Sequence, residues 1–186
     1  MIKINNLSFS YGEKKIFENF SLLIGDGDRI CIFGNSGCGK TTLLRLLMGL
    51  EKPQSGEISV TENKKISAVF QENRLLPFLS VIDNIKTVGG DTEKGKEILD
   101  NLGIGNYSDK LPKDLSGGMK RRAAIARALC CEYDILILDE PFNGLDEYNI
   151  ETAARVIDKE CKDKIIILVT HSEKQAELLK CNIVKI

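Results

Sequence analysis

The sequence predicts an α/β protein built on a mostly parallel sheet. Continuous aliphatic runs at residues 135–138 and 165–169 are typical of strands buried on both faces of such a sheet. Residues 146–162 between them have the pattern of a helix, and strand–helix–strand alternation favours a parallel arrangement. We also expect an antiparallel β portion near the N-terminus, where short strand-like segments follow one another.

The other elements follow from local pattern in chain order. A glycine-rich turn links an apolar strand to a helix that Gly49 stops. A helix is predicted at residues 117–130 and a last strand at residues 183–186, whose edge we expect to be exposed. The predicted early strands are residues 2–9, 20–24, 29–33, 56–60 and 66–70, and the predicted early helix is residues 40–48.

The pattern changes between residues 71 and 115, where no buried-strand signal occurs. Ser80 can cap a short helix through Asp83, and a second helix is predicted from about Thr92 to Leu102. We therefore predict a single domain over residues 1–186. Its core comprises residues 1–71 and 116–186, and residues 72–115 form a small helical subdomain.

Composition excludes several classes of protein. The hydrophobic fraction of 42% and the charged fraction of 28% are ordinary for a globular domain, and a net charge of −1 gives no electrostatic footprint for nucleic acid. No uninterrupted apolar stretch is long enough to span a bilayer, and the N-terminal residues lack the apolar block of a signal peptide. We expect a cytoplasmic protein that another subunit would hold at a membrane.

The cysteines do not indicate a zinc site. There are six cysteines and a single histidine, and no Cys-x-x-Cys pair occurs. We expect reduced thiols, most of them small core residues.

The loop after the strand at residues 29–33 matches the pattern G-x-x-x-x-G-K-[ST]. Glycines let backbone N–H groups face phosphate oxygens, and the helix that follows presents the positive end of its dipole. Lys40 can supply a point charge to the phosphates, Thr41 is a candidate Mg²⁺ ligand, and Thr42 can add a hydrogen bond. The alternative is a glycine-rich turn without a ligand. The predicted nucleotide-binding residues of the loop are Gly34, Asn35, Ser36, Gly37, Cys38, Gly39, Lys40, Thr41 and Thr42.

Two acidic residues follow the aliphatic run at residues 135–138. Asp139 comes at the carboxyl end of a predicted parallel strand, where ligands of such sheets bind, and it can hold Mg²⁺. Glu140 is then placed to act as a general base on an attacking water. A strand that ends in an acid is a weak signal alone, and the phosphate loop makes it specific.

A second glycine pair begins the helix predicted at residues 117–130. Ser116, Gly117 and Gly118 expose backbone N–H groups at that helix start, which is a second potential anion site. The alternative is a helix whose N-cap is Ser116. That alternative does not explain why two glycines stand where helix formers would be better.

Taken in order, these segments resemble the ABC-type ATPases, the nucleotide-binding subunits of ABC transporters, over essentially the whole chain. The resemblance implies a P-loop NTPase fold with a RecA-like core, MgATP as substrate, and two such domains meeting head to tail. It identifies residues 34–42 as Walker A, Asp139 and Glu140 as Walker B, and residues 115–119 as the signature, with Ser116 and Gly118 acting in trans. It further matches Tyr11 to the adenine-stacking aromatic, Gln71 to the Q-loop glutamine near Mg²⁺ and the attacking water, Asp146 to the D-loop, and His171 to the switch histidine.

The segment after Gln71 suggests which members of the family are most similar. Leu75, Leu76 and Phe78 form an apolar cluster beside Pro77, which is either a packed loop or a groove for a transmembrane permease subunit. Together with Met119 in the signature, it resembles importers for nitrate, sulfonate and taurine. Two further function classes stay open at this point. One is a non-transport ABC ATPase, and the other is a nucleotide-sensing subunit with little turnover.

Overall fold

Two sheets form the centre of the protein in a computed structural model that describes residues 1–35, 37–61 and 64–186. One sheet is antiparallel with three strands in the order β2-β1-β4, and the other is parallel with five strands in the order β5-β6-β7-β3-β8. The strands are β1 Ile2–Tyr11, β2 Lys14–Ile24, β3 Arg29–Phe33, β4 Ser55–Val60, β5 Ile66–Val69, β6 Ile135–Asp139, β7 Ile165–Val169 and β8 Asn182–Lys185.

The parallel sheet confirms the α/β prediction. All five residues of β6 and all five of β7 are buried, as expected for strands covered on both faces. The carboxyl ends of β3, β6 and β7 meet at one edge, because the strands run in the same direction. The phosphate loop, the two acids and His171 follow these strand ends directly, so the topology alone gathers them.

The antiparallel sheet is also confirmed, but its second strand is longer than predicted. The prediction placed that strand at residues 20–24, whereas β2 begins at Lys14. Residues 14, 15 and 18 are charged and exposed on this edge strand, so the apolar alternation that identifies a strand is absent there. Pairing with β1 determines the strand instead, with Tyr11 opposite Lys14.

The parallel sheet separates the hydrophobic core into two clusters, one on each face. The antiparallel sheet and α1 bury residues such as Leu43 and Leu44 against one face. The remaining helices bury Ile85, Leu99 and Ile157 against the other. The helices are α1 Lys40–Leu47, α2 Val81–Lys86, α3 Thr92–Asn101, α4 Gly117–Cys130, α5 Glu147–Glu160 and α6 Glu173–Leu178.

The middle of the chain is helical, as the sequence predicts. Residues 70–134, all of them described, contain α2, α3, α4 and two single 3-10 turns but no strand. Ser80 caps α2 by accepting a hydrogen bond from the Asp83 amide at 3.1 Å. The helices α2 and α3 share one hydrophobic cluster with the sheet, so they lie on the core rather than apart from it.

The structure adds two simple findings about the chain as a whole. No helix among residues 1–35, 37–61 and 64–186 is both long and apolar enough to cross a membrane. All six cysteines are free thiols, as predicted.

Candidate functional site

An open cleft of about 430 Å³ lies at the carboxyl edge of the parallel sheet. Its walls come from the phosphate loop, the hairpin of β1 and β2, and the residues that follow β5, β6 and β7. The structure therefore brings most of the predicted site residues to one place. The predicted residues that line the cleft are Tyr11, Gly37, Gly39, Lys40, Thr41, Thr42, Gln71, Asp139, Glu140 and His171.

Lys40 begins α1 and is almost fully buried beneath the loop. Its Nζ donates to the carbonyl oxygens of Gly34 at 2.7 Å and Asn35 at 3.0 Å. An ammonium group has three donors, so these two bonds fix its direction and leave one donor for a ligand in the cleft.

Gly39 is the N-cap of α1 and has φ 110°, a backbone conformation that side chains rarely adopt. A Cβ at this position would lie 2.5 Å from Ile16 Cγ2. The β1–β2 hairpin therefore packs so closely on the loop that only glycine fits, and the loop and hairpin form one wall.

Three other residues of the phosphate loop lie outside the cleft. Gly34, Asn35 and Cys38 do not line the cleft, and Gly34 contributes its carbonyl to Lys40 instead. The Cys38 Sγ would lie 2.7 Å from a Cβ at Gly34, so the thiol packs on the back of the loop. Ser36, predicted to bind phosphate, lies outside the described residues.

Asp139 is the last residue of β6 and is buried. Burial raises the pKa of its carboxyl, while Arg121, Lys40 and a hydrogen bond with the Thr41 side chain act in the opposite direction. The three side chains predicted to hold Mg²⁺, Thr41, Gln71 and Asp139, all line the cleft.

Glu140 has a left-handed backbone with φ 47°, which is costly for a residue with a side chain. Burial raises the pKa of its carboxyl, and the charge of Asp139 adds to this. Its Oε1 lies 3.1 Å from His171 Nε2, but the two are not aligned as a hydrogen bond. Among the residues that the structure describes, no donor satisfies this buried oxygen. Glu140 lines the cleft, and its carboxylate has an oxygen whose capacity to accept a hydrogen bond is unused.

Tyr11 and Gln71 occupy the two outer sides of the cleft, and both are exposed. Tyr11 is held by an edge-to-face contact with Phe9, with ring centroids 4.9 Å apart. One side of the cleft thus offers an aromatic surface beside the loop, and the other offers a side-chain amide beside the two acids.

The remaining predicted residues lie outside the cleft. The Ser116 hydroxyl accepts a hydrogen bond from the Met119 amide at 3.2 Å, so the capping role that was the alternative to an anion site is present in the single chain. Asp146 caps α5 in the same way, through the Asn149 amide at 2.8 Å. A Cβ at Gly118 would lie 3.4 Å from the Gly144 carbonyl oxygen, which brings the two glycine turns together. We call Ser116, Gly118, Gly144 and Asp146 the signature patch.

Sequence reasoning missed four residues that line the cleft: Lys14, Ile16, Asn143 and Val169. The first two lie on the part of β2 that was not predicted as a strand. A hairpin prediction for the Tyr11-Gly12-Glu13-Lys14 turn would have found Lys14, because Tyr11 pairs with it. Asn143 follows the acids, where no pattern in the sequence singles it out.

Comparisons with known proteins agree with this geometry. The model of the ABC transporter family matches residues 17–143. The chain is 39% identical over 188 residues to the aliphatic sulfonates import ATP-binding protein SsuB 1 of Paracoccus denitrificans, covering 96% of this chain and 76% of that protein. It is 37% identical to the thiamine import ATP-binding protein ThiQ of Haemophilus influenzae, covering 94% of this chain and 89% of that one.

Solved structures show the same fold. A dimeric, post-hydrolysis state of the ATP-binding cassette MJ0796 bound to ADP and Pi superimposes on the whole chain and on 94% of that structure, with a TM-score of 0.87 and 27% identity. The predicted P-loop NTPase fold with a parallel sheet is thereby confirmed. Family model, relatives and fold together show that the chain belongs to the ABC transporter family, as an ATP-binding and ATP-hydrolysing subunit.

Proposed function

We propose that this chain hydrolyses MgATP in the cleft, with Glu140 as the general base, and that the hydrolysis powers import of a small solute. The observation that carries the residue assignment is the Glu140 side chain, which lines the cleft and has a buried Oε1 that finds no donor among the described residues. A water held between this carboxylate and the γ-phosphate would supply a donor.

The nucleotide would lie along the loop with its base towards Tyr11. Gly37, Gly39 and Lys40 line the cleft, so backbone N–H groups of the loop and the third donor of Lys40 would bind the phosphates. The side chain of Thr42 also lines it. The exposed ring of Tyr11 offers a flat apolar surface for stacking of adenine.

The described residues fit a bound Mg²⁺. Thr41, Gln71 and Asp139 line the same cleft. No group of three or more His, Cys, Asp or Glu side chains able to hold a metal occurs in the described part of the chain. A site with one carboxylate, one hydroxyl and substrate phosphates suits Mg²⁺, which keeps several waters. When bound, Mg²⁺ neutralises developing charge on the phosphates.

Hydrolysis would proceed by in-line attack of water on the γ-phosphate. Glu140 would take the proton of that water, and its raised pKa makes it a better base than an exposed glutamate. His171 lies beside Glu140 and is half exposed, so it can orient the carboxylate and contact the γ-phosphate at once. Gln71 would position the water from the opposite side.

The full site would form between two copies or two related chains. Ser116, Gly118 and Asp146 of the signature patch do not line the cleft of their own chain. The patch therefore would not contact a nucleotide bound in that cleft. A head-to-tail dimer would bring the patch of one subunit over the phosphates held by the other. The dimer of the ATP-binding cassette MJ0796 supports this arrangement.

The transported solute is proposed from the relatives. Their names specify import of aliphatic sulfonates and of thiamine. Residues 75–78 and Met119 resemble the corresponding residues of importers for nitrate, sulfonate and taurine, so we propose a small anionic solute and import as the direction.

A transmembrane permease subunit would bind at residues 75–79, with the protein peripheral on the cytoplasmic face of the membrane. The buried amide of Asn84 holds this loop, accepting from the Leu76 amide at 2.7 Å and donating to the carbonyl oxygens of Leu76 and Leu79, each at 3.1 Å. Phe78 projects from the loop and is 90% exposed. A rigid loop that presents one large aromatic side chain is typical of an interface anchor.

Copurification tests the partner. Phe78→Ser should abolish capture of a transmembrane permease subunit from the membranes of the source cells, while leaving ATP binding unchanged. Leu23→Ser is the matched control, because Leu23 is 62% exposed on the antiparallel sheet. Association with nucleic acid or ribosomes would favour the non-transport alternative, and a captured complex without ATP turnover would favour the nucleotide-sensing one.

A further inference from the structure

Arg121 is a fully buried arginine that the proposed mechanism does not use. It lies in the second turn of α4, the helix that begins in the signature patch, and is 2% exposed. Burial lowers its pKa to about 10, so the guanidinium keeps its charge at neutral pH. A buried cation needs partners, and those partners explain what this one does.

The guanidinium contacts two separate stretches of backbone. Its Nε donates to the Pro141 carbonyl oxygen at 2.7 Å, and its Nη2 donates to the carbonyl oxygens of Asp139 at 2.8 Å and Glu140. Its Nη1 donates to the carbonyl oxygens of Phe70 and, at 3.2 Å, Gln71. The planar fork thus spans the residues that leave β5 and the residues that leave β6.

These contacts begin where the sheet ends. The last pair of the β5–β6 ladder is Val69 with Leu138. Beyond it the two chains diverge into the cleft, and Arg121 joins carbonyls that the ladder no longer pairs. Only arginine has five donors in one fixed plane, so a lysine could reach some of these oxygens but could not hold both stretches in register.

We propose that Arg121 is a positioning residue that sets Gln71 and Glu140 relative to each other and to the signature helix α4. This inference rests on the proposed roles of Gln71 and Glu140. Because α4 carries Arg121 and begins with Ser116 and Gly118 of the signature patch, a displacement of α4 by the second subunit would be transmitted to the backbone of Gln71 and Glu140. Arg121 therefore couples closure over the nucleotide to alignment of the attacking water.

The test compares Arg121→Gln and Arg121→Lys with Arg122→Gln in the full-length chain. Arg122 is on the same helix, but its principal hydrogen bond is to the Leu102 carbonyl oxygen at 2.8 Å and it contacts neither stretch. MgATP affinity, kcat and thermal stability are measured for each variant. Amide hydrogen exchange is followed in peptides that cover residues 70–74 and 139–143.

We expect Arg121→Gln to lower kcat by about 100-fold, as a displaced catalytic group does, with the MgATP affinity of the folded protein unchanged. Arg121→Lys should lose less, because it keeps the charge and some hydrogen bonds. Both variants should exchange faster in the two peptides, whereas Arg122→Gln should not. If Arg121→Gln fails to fold, the kcat and the amide exchange of Arg121→Lys test the positioning role instead.

Two results would overturn the inference. One is wild-type kcat and exchange in the Arg121 variants. The other is a loss of turnover no larger than the loss of folded protein, since a purely structural arginine would produce that. If instead the wild-type chain shows no turnover that depends on Glu140, the proposed function fails, and the exchange comparison still tests the backbone coupling on its own.

Discussion

The cleft and the signature patch differ in how far their polar groups are satisfied within the single chain. The cleft holds the buried Asp139 and the partly buried Glu140, both with raised pKa values. Glu140 also has a left-handed backbone and a buried carboxylate oxygen without a donor among the described residues. In the signature patch, Ser116 and Asp146 are exposed, and each caps a helix with a good hydrogen bond. One region is strained within the single chain, and the other is satisfied.

This difference shows which kind of ligand-binding site can be recognised from the structure of a single chain. Strain and unmet hydrogen bonds mark a site whose ligand reacts inside the same subunit. A surface that completes another subunit's site must also be stable alone, so it shows ordinary capping and no strain. The cleft can therefore be recognised from one chain, whereas the signature patch needs its partner.

The largest expected effect is at the strained region. Glu140→Gln should lower ATP turnover by about 10²–10⁴-fold, the usual contribution of a general base, while MgATP still binds. Turnover and nucleotide affinity are measured on the same preparation. The matched control is Glu147→Gln, since Glu147 is exposed in the first turn of α5. Unchanged turnover in Glu140→Gln would show that another group is the base.

The second prediction concerns the satisfied region. Ser116→Arg should lower turnover by about 10²–10³-fold, as loss of a transition-state donor does, without changing the affinity of the monomer for nucleotide. Lys40→Met should instead abolish nucleotide binding. The pair separates a residue that acts on another subunit's nucleotide from one that acts on its own.

Mixing variants sharpens this test. A dimer of one Glu140→Gln chain and one Ser116→Arg chain keeps one site with an intact cleft and an intact signature patch, provided that the patch acts in trans. Turnover should then reappear when the two inactive proteins are mixed. No recovery in a mixture that demonstrably dimerises would mean that Ser116 acts on its own cleft.

The third prediction is a smaller effect on stability. The Glu140 pKa is raised in the folded state, so the folded protein binds this proton more tightly than the unfolded chain does. Stability is therefore lost as the pH rises from the ordinary value of 4.5 through the raised pKa. Glu140→Gln should increase the Tm of the ligand-free protein at neutral pH, and the gain should shrink at acidic pH. Thermal unfolding at several pH values checks this, and a lower Tm at neutral pH would contradict it.

The smallest expected effect is on Cys38, at the back of the loop. We expect iodoacetamide to alkylate Cys38 more slowly when MgATP is bound, because the nucleotide restrains the loop. Cys131 and Cys181, which are also partly exposed but lie outside the cleft, are internal controls. Peptide mass spectrometry measures each rate, and equal rates at Cys38 with and without ATP would refute the idea.

Much of the fold follows from the sequence, because buried strands and glycine loops have distinct patterns. The aliphatic runs of β6 and β7 admit few other structures, and the loop at residues 34–41 requires the strand and helix that flank it. The first half of β2 was missed because its charged edge residues hide the alternation, and α6 was missed because it is short. Tertiary pairing, rather than local pattern, determines both.

The candidate site divides in the same way. Its cleft residues follow strand ends, so topology predicts that Asp139, Glu140 and His171 converge. The hydrogen bonds of Arg121 could not be predicted, since a basic residue after a signature is usually assigned to the surface. Its burial depends on two stretches of backbone that lie 18 to 51 residues away in the chain.

The hydrogen bonds of the Lys40 ammonium bear on how the site distinguishes ATP from ADP. Because Nζ is already held by Gly34 and Asn35, the described part of the loop does not need a γ-phosphate to keep the ammonium in place. Nucleotide binding therefore does not have to order this side chain, and ADP and ATP would both meet a charge that is already in place. The groups that would still have to adjust to a γ-phosphate are Gln71, Glu140 and His171, so these residues would set when the reaction cycle advances.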